Sequence, residues 1–150
     1  MNKRQRWIVA NFAGVIVITV ASVIGMVELK NRVNHSEATR AMEHLWRVVS
    51  DYKQKNGSIP PQSYIDGVKE VLEGKARIGN LQYRALGIQV DSPPDTILAY
   101  VIKEYHSLFF RPEAIVLRLN GRVEWMDKQQ FEQLLSSQQT PLELQLSPAK

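Results

Sequence analysis

From Trp7 to Val27 the chain runs for 21 residues without a charged side chain, and no other feature limits its possible folds as severely. At about 1.5 Å of rise per residue, a helix over that run covers the roughly 30 Å hydrocarbon thickness of a bilayer. Its polar side chains are Asn11, Thr19 and Ser22, single amide and hydroxyl groups that a helix with an internally satisfied backbone can carry in lipid. Trp7 stands at the boundary, where an indole prefers the headgroup region. A cleavable signal peptide would have an apolar stretch of only about 7–15 residues closed by a small-x-small site. Here the stretch is longer and no Ala-x-Ala follows it, so the reading is an uncleaved, single-pass signal anchor at residues 7–27, behind a short N-terminus at residues 1–6. Lys3, Arg4 and Arg6 precede the span, whereas Lys30 and Arg32 follow it beside Glu28. That bias predicts a cytoplasmic N-terminus and an extracytoplasmic domain, periplasmic if the membrane is a bacterial inner membrane.

The anchor has to be set aside before charge is interpreted. The formal charge is +4, yet Lys3, Arg4 and Arg6 supply three of the 19 basic side chains, and the remaining 16 face 15 acidic ones. The outer part is therefore near neutral, and its Lys and Arg are interleaved with acids rather than clustered on a face with stacking aromatics. The footprint of a nucleic-acid partner is missing. The chain has no cysteine, which removes disulfides, zinc-cysteine sites and thiol catalysis together.

Beyond the anchor, no Pro or Gly occurs between Met26 and Asn56, and Ala38, Ala41, Met42, Leu45, Val49 and Tyr52 recur at helical spacing. They form one apolar stripe opposite Arg40, Glu43, Arg47, Asp51 and Lys53, the pattern of an amphipathic helix lying on a domain and continuing the anchor. Asn56-Gly57 and then Pro60-Pro61 end it. A second helix is expected from Ser63 to Glu73, opened by a Ser63/Asp66 capping box and stopped by Gly74. The period then changes. Leu81 to Ala85, Thr96 to Ile102, Ala114 to Leu119 and Arg122 to Met126 read as strands, the last two joined at Asn120-Gly121 as a hairpin whose two turn residues would both take positive φ. Asp127 should cap a closing helix through Leu135, with Gln130 at the reciprocal position and Met126 stapled onto Phe131. Residues 136–150 read as a flexible tail, with a short edge strand at Leu142, Leu144 and Leu146 as the alternative. The expected class is α+β: a long N-terminal helix, transmembrane and then amphipathic, packed on a small antiparallel sheet over residues 28–135.

The sequence holds no evident reactive cluster. His35 and His44 lie nine apart on a helix, which points them to opposite sides. His106 near Glu104 has no third group to orient it, so a surface histidine is the simpler reading. Asp91 and Asp95 bracket a loop with too few further oxygen ligands for calcium and read as a solvated turn. Trp46 and Trp125 read as packing residues. No phosphate loop, nucleophile elbow or His-Glu-x-x-His motif occurs. No catalytic, cofactor or metal site is assigned, and an enzyme is not expected.

The layout resembles that of type IV pilin-like proteins. The stretch from Arg40 to Pro60, closing on Tyr52-Lys53 and Asn56-Gly57-Ser58-Ile59-Pro60, looks like the segment of type II secretion pseudopilins where the long helix ends in a Tyr-Lys…Asn-Gly-x-Tyr-Pro turn, with Ile59 at the aromatic position. The stretch Asp95-Thr-Ile-Leu-Ala-Tyr100, then His106, then Val116 to Met126 around Asn120-Gly121, is similar to the C-terminal signature of prepilin-type proteins, with Asn120 and Arg122 where the family has Asp and His. At the head, the family's Gly followed by Phe-Thr-Leu-x-Glu is replaced by Arg6-Trp-Ile-Val-Ala-Asn11. The resemblance implies a pilin-like fold, a structural or accessory role in a type II secretion or type IV pilus-type assembly, and other pilin-like or secretion-system proteins as partners beside the membrane. A tethered extracytoplasmic binding or sensing module is the alternative reading, because one fold serves many purposes.

Overall fold

The computed structural model describes residues 3–72, 78–89, 91–104, 111–141 and 143. The chain divides into two compact units, Met1–Ser36 and Glu37–Lys150. Helix α1 (Lys3–Asn56) contributes to both. The first unit is helical throughout its described length. The second is α+β, with α1 from Glu37 onward, α2 (Gln62–Lys69) and the strands β1 (Gln82–Tyr83), β2 (Ile97–Lys103), β3 (Glu113–Arg118) and β4 (Val123–Asp127), closed by α3 (Lys128–Gln138). The four strands form one antiparallel meander in chain order.

Helix α1 ends where its sequence says it should. Gly57 takes φ +67 and its N–H donates to the Lys53 carbonyl at 2.9 Å, while the Asn56 side chain donates to the Tyr52 carbonyl. Lys53 and Lys55 in the last turn complement the negative end of the helix dipole. Helix α2 begins differently from expectation. Pro61, at φ −69 and ψ 162, is the N-cap and has no side-chain cap bond, so Ser63 lies inside the helix and no capping box forms. Proline is already fixed at the φ that a helix entry needs. Asp66 is turned to other work: Lys69 and Gln62 both donate to its carboxylate at 2.9 Å, holding it below the usual carboxylate range. The helix stops at Lys69 rather than Glu73, and Gly74 lies outside the described residues.

The core has two parts, separated by the sheet. In β3, Ile115 and Leu117 join Ala38, Ala41, Met42, Leu45 and Val49 of α1, Ile65 of α2 and Tyr83 of β1. Ala114 and Val116, pointing the other way, join Phe131 of α3, with Leu134, Leu135 and Met126 packed alongside. The sheet is therefore covered on both faces, and α3 supplies a layer that the reading of a helix on one face did not anticipate. Each Leu, Met or Val of the α1 stripe is fully buried, worth on the order of 1.5–3 kcal/mol of apolar transfer. The β2–β3 register slips between Ile97 and Ala99. This bulge lets Leu98 and Ala99 both face the α1 side, while Ile97 and Tyr100 face α3.

Two further differences from expectation concern turns. Strand β1 is two residues long, not five: Arg84 N–H still donates to the Leu98 carbonyl at 2.9 Å, but the chain turns over Ala85–Gly87. The hairpin sits at Asn120-Gly121, yet Asn120 does not take positive φ; Gly121 alone does, at +88. Gly121 N–H donates to Arg118 O and Arg118 N–H donates to Arg122 O, each at 2.9 Å, so the loop is a three-residue turn with the left-handed residue last. Asn120 instead accepts from the Arg122 N–H through its side chain at 2.9 Å, an Asx turn that holds the loop without a left-handed asparagine. Helix α3 is capped as expected, with the Asp127 carboxylate accepting from Gln129 N–H, and it extends past Leu135 to Gln138.

Candidate functional site

The apolar segment and the α+β unit offer different chemistries. In the first unit, Phe12, Val15, Ile16, Val17, Ile18, Val20, Val23, Ile24 and Met26 are all exposed, as are the bounding Trp7 and Val27. The described side chains of this stretch are apolar on every side of the helix and exposed, a pattern suited to an apolar medium. By length and composition this helix, near the N-terminus, is sufficient to cross a membrane. Its two hydroxyls are suited to that medium: Thr19 Oγ1 donates to the Val15 carbonyl at 2.9 Å and Ser22 Oγ to the Ile18 carbonyl at 2.8 Å, so both protons are satisfied within the helix.

In the second unit the stripe residues Ala38, Ala41, Met42, Leu45 and Val49 are consumed by the core, and Tyr52 is half-buried with its ring centroid 4.7 Å from that of Tyr64. They hold the domain together rather than present a surface. The hairpin tip is pinned to the Asp91–Asp95 loop. Asn120 Nδ2 donates to Asp95 Oδ1 at 3.3 Å, Asn120 N–H to the Pro94 carbonyl at 2.9 Å, and Arg118 Nη1 to the Asp95 carbonyl at 2.8 Å. Of the loop's two acids, Asp95 is thus engaged by an amide. Glu124 gathers Arg118 at 2.8 Å and Arg122 at 2.6 Å. Trp46 of α1 lies against Gly121, and Trp125 Nε1 donates to Thr39 Oγ1 at 3.1 Å, so both indoles tie the hairpin to α1. Glu104 pairs with Lys128 at 3.2 Å, and His106 lies outside the described residues. Among the described residues no three His, Cys, Asp or Glu side chains gather as metal ligands would.

One polar site was invisible to sequence reasoning. Arg84, just past β1, is 7% exposed and forms a forked pair with Glu143, from Nε to Oε1 at 3.0 Å and from Nη2 to Oε2 at 2.9 Å. Its Nη1 donates to the Ile97 carbonyl at 3.1 Å and Nη2 to the Gln138 carbonyl at 2.9 Å. Burial alone would raise the Glu143 carboxyl, but the Arg84 bonds, the Thr140 N–H and the guanidinium charge outweigh it and hold the group below its ordinary 4.5. Burial also pushes the Tyr83 phenol up; its hydroxyl donates to the Pro60 carbonyl at 3.0 Å. The ion pair spans 59 residues, beyond any local pattern. The only hint in sequence is an arginine placed among Leu81, Tyr83 and Ala85.

Comparison with known proteins finds no match among family models, curated proteins or solved structures. The fold and the local chemistry therefore carry the functional argument by themselves.

Proposed function

We propose that the chain is a membrane-anchored, pseudopilin-like structural or accessory subunit of a type II secretion or type IV pilus-type assembly, single-pass at the inner membrane with its N-terminus cytoplasmic and its domain outside. The observation that carries this reading is the order of parts along the chain. An exposed apolar run leads into a helix whose buried stripe is the spine of a small domain, and a meander ending in a hairpin follows. Such a part works by helix packing in the membrane and by surface contacts of the outer domain, with no bond-making chemistry required. The cluster of Lys3, Arg4 and Arg6 before the span supports the orientation. Its partners are other pilin-like or secretion-system proteins. Co-purification with such proteins after mild detergent extraction is the expected result, and a strictly monomeric protein without partners overturns it.

A specific observation favours a second reading, that of a tethered extracytoplasmic binding or sensing module. The head of the apolar run is Arg6-Trp-Ile-Val-Ala-Asn11, and no acid occurs before Glu28, so the residues that a prepilin peptidase would cut and that would seat a subunit in a filament differ. Mass spectrometry of the membrane-extracted N-terminus separates the two. A trimmed, methylated end belongs to filament entry; an intact, unmethylated one belongs to a plain anchor.

A further inference from the structure

The chain contains two Asn-Gly dipeptides, Asn56-Gly57 and Asn120-Gly121, and the fold holds them differently. An asparagine followed by glycine is open to attack on its side-chain carbonyl by the next backbone nitrogen, because glycine has no Cβ to hinder the approach. The attack requires the backbone to leave its turn and bring that nitrogen against Cγ, so its rate follows the cost of local opening. Both asparagines are exposed, and in both turns the glycine N–H is bonded at 2.9 Å, Gly57 to the Lys53 carbonyl and Gly121 to the Arg118 carbonyl. The surroundings separate them. Asn56 is the last residue of α1, its Nδ2 donates to the Tyr52 carbonyl, and a Cβ at Gly57 would stand in open space. These bonds lie within the last turn of one helix, where fraying is cheap. Asn120 is held from outside its turn: Nδ2 donates to Asp95 Oδ1 at 3.3 Å and its N–H to the Pro94 carbonyl at 2.9 Å, while the Trp46 indole covers Gly121. Opening that pair means parting the hairpin from a second loop and from α1.

We propose that Asn56 is a site of intramolecular deamidation in the folded protein and that the fold protects Asn120 from the same reaction. The Gly57 nitrogen gives up its proton to solvent and bonds to Asn56 Cγ; the bond from Cγ to Nδ2 breaks, ammonia leaves, and a cyclic imide closes. Water then adds to either imide carbonyl, which leaves aspartate or, with the backbone rerouted through the side chain, isoaspartate. One water enters and one ammonia departs, with no change of oxidation state. Either product places an anion at the negative end of the α1 dipole, where Lys53 and Lys55 partly offset it. Isoaspartate also adds a backbone methylene at the exit from α1. The inference is independent of the secretion reading and holds for either function above.

The test incubates the full chain in detergent at mildly alkaline pH, digests samples under mildly acidic conditions, and follows the amide-to-acid mass gain at each pair by mass spectrometry. Electron-transfer fragmentation distinguishes isoaspartate from aspartate. In the folded protein residue 56 is expected to convert at least about tenfold faster than residue 120, since a frayed helix end opens far more cheaply than a pinned hairpin, and to yield both acids. In concentrated urea the two rates are expected to come within about twofold of each other, because the shared dipeptide alone then sets them. A smaller margin in the folded protein, aspartate as the sole product at residue 56, or a margin that survives in urea overturns the proposal.

Discussion

Two glycines in the left-handed region separate the backbone cost of a side chain from the packing cost. Gly57 at φ +67 has open space around it, whereas Gly121 at φ +88 has the Trp46 indole where a Cβ would stand. An L-residue in that region costs roughly 1–2 kcal/mol. Gly57→Ala is expected to lose about that much. Gly121→Ala should lose at least about 1 kcal/mol more, since displacing a packed ring adds an overpacking penalty. Thermal unfolding of the detergent-solubilised protein measures both. In a Trp46→Ala background the excess at Gly121 should vanish; if it persists, the indole is not its source. Glu143 contributes to the pH dependence. Its folded pKa is depressed, so its contribution to stability is complete above the unfolded value near 4.5 and is lost as pH falls through the lower folded value. Glu143→Gln should flatten the acid limb of the unfolding curve over that window.

At the scale of elements, α3 is capped by a single side chain. The Asp127 carboxylate accepts from the Gln129 N–H, and Asp127→Ala is expected to cost about 1 kcal/mol, with Asp127→Asn within a few tenths of wild type. Amide exchange over Lys128–Gln138 reports it directly. This helix also marks what the sequence did and did not disclose. The α1 stripe was legible because one face of a 3.6-residue period was apolar and the other charged, and the hairpin because Asn-Gly punctuates two β-rich runs. The layer beneath α3 was missed although a signal existed: Ile97 to Ile102 and Ala114 to Leu117 are apolar without alternation, the mark of strands covered on both faces. The bulge at Leu98 and the Arg84–Glu143 pair had no local signature, since both are settled by partners distant in the chain.

For the molecule as a whole, every fully buried residue among those described is numbered 38 or higher. A chain starting at Glu37 is therefore expected to fold without detergent, remain soluble and unfold cooperatively by circular dichroism, whereas the full chain should partition into membranes. A fragment that aggregates or lacks a transition would show that residues before 37 complete the fold. The inward-turned hydroxyls of Thr19 and Ser22 bear on how the apolar segment can meet other helices. With both protons committed to the helix's own carbonyls, neither can serve as a donor across a helix–helix contact. At those two positions, any contact with a neighbouring helix would then rest on shape alone.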